Sequence, residues 1–145
     1  MNKNLSKKGF TIIELLVVIA IIAVLAAIVL VNVTKYINKG KDAAIQGNLA
    51  SVITNAAVAI DGGATDVCAN PTITAAITAA KTAYGDVAGD TAFCKDADTT
   101  DTAWAACSQL KDTDSYFCVD STGKKSTVAT KTGCTSLAFT VSACP

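Results

Sequence analysis

The sequence lacks two side chains that many catalytic sites use. None of its 145 residues is histidine or arginine, Glu14 is its one glutamate, and the other eleven acidic residues are aspartates. Histidine is the commonest general base and a frequent zinc ligand, so its absence removes most nucleophile-and-base pairs and most zinc sites. We therefore predict a protein that is not an enzyme and that binds no cofactor.

Clustered positive charge is also lacking in the C-terminal part of the chain. Residues 62–145 contain six lysines against nine aspartates. Nucleic-acid binding needs grouped cationic side chains that displace the counterions of the phosphates. We predict no direct nucleic-acid binding by one subunit. The length, with 51% hydrophobic residues, allows one modest domain plus an appendage.

Polar side chains are absent from Leu15 to Val31, a run of seventeen residues. Together with its flanking residues the segment 10–33 has twenty-four residues, and a helix of that length covers roughly 36 Å, enough to cross a bilayer. Glu14 lies near its start, where a carboxylate is costly. An ordinary signal peptide cleaved near residues 24–26 is the alternative. Two features count against a signal peptide. The apolar run continues past residue 26, and the Glu14 carboxylate opposes insertion of the segment.

All six cysteines follow this apolar run: Cys68, Cys94, Cys107, Cys118, Cys134 and Cys144. An even number in a small domain predicts disulfides, which persist outside the cytoplasm, so we place the N-terminus inside and the domain outside. Six cysteines allow fifteen pairings, of which Cys134–Cys144 is the most local. Metal binding is the rival interpretation, but the sequence has no C-x-x-C pair and no histidine.

The segment KKGFTIIELLVVIAIIAVLAAI resembles the N-terminal signature of type IV pilins and of the pseudopilins of type II secretion. The resemblance covers roughly residues 3–35. It implies a leader peptide, residues 1–9, cleaved between Gly9 and Phe10 by a prepilin peptidase, and methylation of the new N-terminus at Phe10. Glu14 then becomes the fifth residue of the mature chain. The helix departs from many type IV pilins because it has no proline between Phe10 and Asp61.

The resemblance also implies a function and a location. It predicts a structural subunit of a homo-oligomeric helical filament, serving adhesion, motility or DNA uptake. Such a chain sits in the inner membrane as a single-pass protein, is added to the filament by an inner-membrane assembly platform, and ends on the cell surface. The alternatives are a pseudopilin of a type II secretion system or, from another class, a monomeric membrane-anchored binding module.

Charge pairing supports the same interpretation of Glu14. A carboxylate in an apolar environment needs a partner, and the chain has no basic side chain between Lys8 and Lys35. Cleavage at Gly9–Phe10 would create one, the α-amino group of Phe10. We predict that Glu14 and Phe10 form the subunit-docking contact, within one helix or between neighbouring subunits, where a low dielectric strengthens the pair.

Helical spacing of apolar residues continues beyond the membrane segment. The residues concerned are Ile37, Ile45, Leu49, Val52, Ile53, Ala56 and Ile60. We predict one helix from Thr11 to Ala59, with residues 34–61 as its amphipathic continuation and with Asp61-Gly62-Gly63 as its end. Two helices broken at Gly40 are the alternative.

The head, residues 62–145, is predicted to contain two short helices and three strands. The helices are Thr72–Thr82, opened by Asn70-Pro71, and Thr102–Lys111, capped by Asp101. The strands are Tyr116–Asp120, Ser126–Thr130 and Ser136–Val141. The fold class is therefore α+β, in which a long N-terminal helix with a hydrophobic N-terminal half packs against a small antiparallel sheet stapled by disulfides.

Aspartates alternate with other residues in the stretch KDADTTD. Asp96, Asp98 and Asp101 could coordinate calcium, although the glycine and closing glutamate of a calcium loop are missing. A solvated loop that ends in a helix cap is the favoured interpretation, and we predict no metal site.

Overall fold

The computed structural model describes residues 9–86, 91–96, 103–113, 115–129 and 144, apart from the side chain of Val31. The chain divides into two compact units, Met1–Tyr36 and Ile37–Pro145. The first is helical from Ile12 onward, and the second holds two helical segments and a sheet.

Helix α1 spans Ile12–Asp61, so the predicted single helix is confirmed and the break at Gly40 is wrong. It ends where the sequence predicts: Gly63 has a φ of 86°, a left-handed conformation that glycine adopts without strain. The N–H of Gly63 donates to the carbonyl of Ile60 and that of Ala64 to the carbonyl of Ala59. These two bonds form a Schellman ending, which satisfies carbonyls of the last turn.

Helix α2 spans Pro71–Tyr84, two residues longer at its C-terminal end than predicted and one longer at its N-terminal end. Asn70 caps it by accepting the N–H of Thr72 at 3.0 Å, and proline at the first helical position loses no hydrogen bond. Its buried residues are Ile73, Ala76, Ile77 and Ala80.

The sheet has four described antiparallel strands in the order β1-β2-β3-β4. Strand β1 spans Ala92–Asp96, β2 Trp104–Gln109, β3 Tyr116–Asp120 and β4 Lys125–Val128. Strand β3 has the predicted bounds, and β4 lies near its predicted position. Strand β1 was not predicted, and the predicted strand 136–141 lies outside the described residues.

The predicted helix at 102–111 is wrong, because Trp104–Gln109 forms the inner strand β2. Five of its six residues are buried, so the strand shows no alternation of apolar and polar side chains, and its alanines favour a helix on local grounds. Hydrogen bonding to strands on both sides decides its conformation. Asp101, the predicted cap, is outside the described residues.

Buried side chains from both helices and the sheet form the core of the second unit. The main cluster comprises Ile45, Leu49, Val52, Ala56, Val67, Ile73, Ala76, Ile77, Ala80, Ala92, Trp104, Ala106, Leu110 and Val119. Four of these come from one face of α1, as its amphipathic pattern predicts. Together the helix, the sheet and the disulfides confirm the predicted α+β class.

Disulfides link the sheet to the segments around it. Cys68 is bonded to Cys94 and Cys118 to Cys144, and Cys107 is also disulfide-bonded. The expected Cys134–Cys144 pair is therefore wrong. Nearness in sequence was a poor guide to this pairing. The chain brings Cys144 back to a Cα–Cα distance of 5.8 Å from Cys118, although the two are 26 residues apart.

Candidate functional site

The predicted cleavage point lies just before the first residue of α1. Gly9, Phe10 and Thr11 are outside the helix, which begins at Ile12. The Phe10 side chain is 80% exposed, and no atom lies within 4 Å of the position that a Cβ on Gly9 would occupy. Among the described residues, nothing packs against the peptide between Gly9 and Phe10, so another protein can reach it.

Glu14 and Thr11 cap the start of α1 for each other. The N–H and the hydroxyl of Thr11 donate to Glu14 Oε2 at 2.8 and 2.9 Å. In return the N–H of Glu14 donates to Thr11 Oγ1 at 3.3 Å. This reciprocal arrangement is a capping box, which satisfies N–H groups that a helix start leaves unpaired. Among the described residues, the partner of Glu14 is therefore Thr11.

Beyond this cap, α1 exposes an uninterrupted apolar surface. Between Ile12 and Leu30 the large hydrophobic side chains, for example Val17, Ile22 and Leu25, are between 46% and 79% exposed. By length and composition this helix can cross a membrane, with a mean hydropathy of 3.3 over an 18-residue window. A helix that is apolar on every side needs lipid or other helices around it.

Asp42 joins α1 to the turn after β2 in the second unit. Its carboxylate is buried and accepts the N–H groups of two successive residues, Lys111 at Oδ1 and Asp112 at Oδ2. Lys111 also places its ammonium 4.2 Å from the centre of the Tyr84 ring at the end of α2. One carboxylate and one lysine thus connect α1, the turn after β2 and α2 within the second unit.

Asp120 holds Cys144 against the end of β3. Its Oδ2 accepts the Cys144 N–H at 2.8 Å, and its Oδ1 accepts the Thr122 hydroxyl and the N–H groups of Thr122 and Lys124. Burial alone would raise the pKa of the Asp120 carboxyl, but these hydrogen bonds outweigh it and hold the pKa below its ordinary value. The Lys124 ammonium donates to the Cys144 carbonyl at 2.9 Å.

Asp96, the first residue of the calcium candidate, has backbone partners. Its carboxylate accepts the N–H groups of Val67 at 3.1 Å and of Cys68 at 3.0 Å. Burial raises the pKa of Asp96, the Cys68 N–H lowers it, and the neighbouring Asp66 carboxyl raises it further. Asp98 and Asp101 are outside the described residues, among which no group of three or more cysteine or acidic side chains could hold a metal ion.

Sequence reasoning missed three of these residues. The spacing Thr11-x-x-Glu14 before an apolar run is the capping-box pattern, so Thr11 carried a usable signal. Asp42 and Asp120 carried none, because their partners lie at Lys111 and Cys144, far along the chain. The structure brings Gly9, Phe10, Thr11 and Glu14 together at the start of α1. It places five of the predicted cysteines in the head, namely Cys68, Cys94, Cys107, Cys118 and Cys144, and Cys134 lies outside the described residues.

Comparison with known proteins confirms the resemblance of the N-terminal segment. The protein-family model described as the prokaryotic N-terminal methylation motif matches residues 4–30. In this motif and in its α+β fold, the protein is type IV pilin-like.

Two curated relatives from Moraxella bovis carry pilin names. The chain is 45% identical over 62 residues to the "Type IV major alpha-pilin", across 43% of this chain and 39% of the relative. It is 45% identical over 60 residues to "Fimbrial protein Q", across 41% of this chain and 38% of the relative. The chain thus spans about two fifths of the length of these relatives. No solved structure matches it.

Proposed function

We propose that this protein is the structural subunit of a type IV pilus-like filament. The observation that carries the proposal is the first part of α1, a surface of exposed apolar side chains opened by a carboxylate. The methylation motif at residues 4–30 and the pilin names of both relatives support it. The role is mechanical and adhesive, and the proposal assigns no catalytic residue.

Processing is the first step of the proposed mechanism. A prepilin peptidase cuts between Gly9 and Phe10, which removes residues 1–9, and the new amine at Phe10 is then methylated. Gly9 and Phe10 suit this step because both precede the helix, so the enzyme need not unwind α1 to reach the peptide. Until assembly, α1 holds the subunit in the inner membrane with the N-terminus in the cytoplasm.

Assembly moves the apolar segment from lipid into a bundle of identical helices. Lipid tails are as apolar as the helix surface, so association in the membrane depends on packing and on polar contacts. Glu14 of an incoming subunit meets the Phe10 amine of the previous one, and the two charges attract strongly in a low dielectric. The inner-membrane assembly platform supplies the subunits, and the finished filament displays the disulfide-bonded heads on the cell surface.

Imaging tests this proposal. Electron microscopy of the producing cells with an antibody against residues 62–145 is expected to show labelled surface filaments. Labelling confined to the cell envelope would contradict the pilus assignment and would favour the pseudopilin of a type II secretion system or a monomeric membrane-anchored module. A head-deleted chain, which ends at Asp61, is the control for antibody specificity.

A further inference from the structure

We propose that Lys35 and Lys39 form a binding site for the anionic headgroups of membrane lipids, which we call the headgroup site. Both lysines lie on α1 just after the apolar segment 10–33, so the site meets the leaflet at the C-terminal end of that segment. The inference rests on the membrane stage of the proposed function and goes beyond it, because it names the class of lipid that holds the subunit before assembly.

Positive charge is concentrated directly after the apolar segment. Lys35, Lys39 and Lys41 lie within seven residues, and no acidic residue lies between Glu14 and Asp42. The head differs in this respect, because its aspartates outnumber its lysines by nine to six. Lysines grouped next to a membrane-crossing helix are attracted to anionic lipids. The charge pattern therefore favours lipid binding at this point of the chain rather than on the head.

Two of these three lysines can receive a ligand. The side chains of Lys35 and Lys39 are exposed, whereas Lys41 is half-buried and adjoins the buried Asp42. Within the described part of the chain, the ammonium groups of Lys35 and Lys39 have no ion-pair or hydrogen-bond partner. Binding of a lipid phosphate to either lysine thus requires no described contact to break.

Position along α1 puts both lysines within reach of the headgroups. The headgroup layer extends about 5–8 Å beyond the hydrocarbon core on each side of a bilayer. Since a helix rises about 1.5 Å per residue, Lys35 and Lys39 follow residue 33 by about 3 and 9 Å. Helical Cα–Cβ bonds tilt towards the N-terminus of the helix, which here is the direction of the membrane. The long lysine side chains can therefore place their ammonium groups among the headgroups.

Tyr36 indicates the same depth. Its side chain is 74% exposed, and tyrosine is enriched at membrane interfaces, where the ring contacts the apolar layer and the hydroxyl contacts the headgroups. Thr34, two residues earlier, already has a partner within the helix, because its hydroxyl donates to the Leu30 carbonyl at 3.1 Å. A threonine paired within the helix, then a lysine and a tyrosine, is the order expected where a helix leaves a bilayer.

Native mass spectrometry of the full chain tests the headgroup site. The chain is held in detergent micelles that contain equal amounts of phosphatidylglycerol and phosphatidylcholine with identical acyl chains, so the two lipids differ in their headgroups alone. The mass of each bound lipid reports its class. The test variant combines Lys35→Gln with Lys39→Gln, and glutamine keeps a helix propensity close to that of lysine. The matched control combines Lys95→Gln with Lys125→Gln, which removes two exposed lysines from the head.

We expect the wild type and the control to retain phosphatidylglycerol in preference to phosphatidylcholine. One lysine near an anionic surface favours binding about fivefold, so the two lysines together predict a preference of up to about 25-fold. The variant with Lys35→Gln and Lys39→Gln should bind the two lipids in a ratio of about one.

Three results overturn the inference while the filament function stands. The first is a wild type that binds both lipids equally. The second is an equal loss of preference in the test and control variants, which would make the attraction a property of net charge. The third is displacement of phosphatidylglycerol by millimolar inorganic phosphate at constant ionic strength, which would assign the lysines to free phosphate. A wild type that prefers phosphatidylglycerol but forms no filaments on its cells overturns the proposed function alone.

Discussion

Cys144 is attached twice to the same strand. Its sulfur is bonded to Cys118 in β3, and its N–H donates a hydrogen bond of 2.8 Å to Asp120, two residues further along that strand. The Lys124 ammonium adds a third contact by donating to the Cys144 carbonyl. A covalent bond, a buried carboxylate and a lysine thus fix one buried residue of the head.

The Asp120 contacts predict a specific loss of stability. Asp120→Asn gives up hydrogen bonds to an ionised acceptor, each contributing about 1.5–3 kcal/mol, and the full chain in detergent should unfold at a lower urea concentration. Asp112→Asn, an exposed aspartate of the same head, is the control and should unfold like the wild type. Equal urea midpoints for Asp120→Asn and the wild type would show that the carboxylate does not stabilise the head.

The depressed pKa of Asp120 also predicts a pH dependence. The pKa is lower in the folded chain than its ordinary value of 3.8, so the stabilisation is complete above the unfolded pKa and is lost as pH falls through the folded value. Urea unfolding between about pH 6 and pH 2 should show a steeper acid loss in the wild type than in Asp120→Asn. Parallel pH profiles would contradict this assignment.

Asp96 should affect the pH dependence of stability in the opposite direction to Asp120. Its pKa is raised in the folded chain, so the protonated form favours folding, and that contribution is lost as pH rises through the folded value. As pH falls towards the unfolded pKa, the wild type should therefore gain stability. Asp96→Asn, which lacks the ionisable group, should gain less. The measurement is the difference between the two unfolding midpoints as a function of pH, and a constant difference would contradict the raised pKa.

Asp42 predicts a second stability loss, at the contact between α1 and the β2–β3 turn. Asp42→Ala leaves the Lys111 and Asp112 N–H groups without their carboxylate acceptor, and a hydrogen bond to a charged group contributes about 1.5–3 kcal/mol. Chemical denaturation of the full chain measures the effect. Asp61→Ala, which removes an exposed aspartate from the same helix, is the control, and an equal change in both variants would refute the specific role of Asp42.

Variants at Glu14 and Gly9 should distinguish subunit docking from processing of the N-terminus. Glu14→Leu removes the charge, so the chain should insert into the membrane and be cleaved but fail to assemble, whereas Ile13→Leu should assemble normally. Normal filaments from the Glu14→Leu chain would refute the docking contact. The measurement is the filament fraction after shearing, compared with the membrane fraction of the same cells.

Gly9→Val should leave the precursor uncut. No atom lies within 4 Å of the added Cβ in the described structure, so the change should act on recognition by the peptidase rather than on folding. Gly47→Ala, where an added Cβ is equally free of contacts, should be cleaved normally and should favour the helix by about 1 kcal/mol. Gel mobility distinguishes cut from uncut chains, and a processed Gly9→Val chain would contradict the assigned site.

Local signals explain which elements could be predicted. Helix α1 has a long periodic pattern and a glycine ending, and α2 has Asn70-Pro71 at its start, so both could be located from the sequence. Strand β2 could not, because its pairing with β1 and β3 depends on residues distant along the chain. The same reason hid the Cys118–Cys144 disulfide and the partners of Asp42 and Asp120. At the candidate site, Thr11 was missed although its three-residue spacing from Glu14 was visible.

The mature N-terminus tests the central claim most directly. Mass spectrometry of the protein isolated from its producing cells should find a chain that begins at Phe10, with a methyl group on its α-amine. That result would confirm that the partner proposed for Glu14 exists. A chain that keeps Met1, or one that begins near Ala27, would contradict the filament account, because the docking amine would be missing or Glu14 would have been removed.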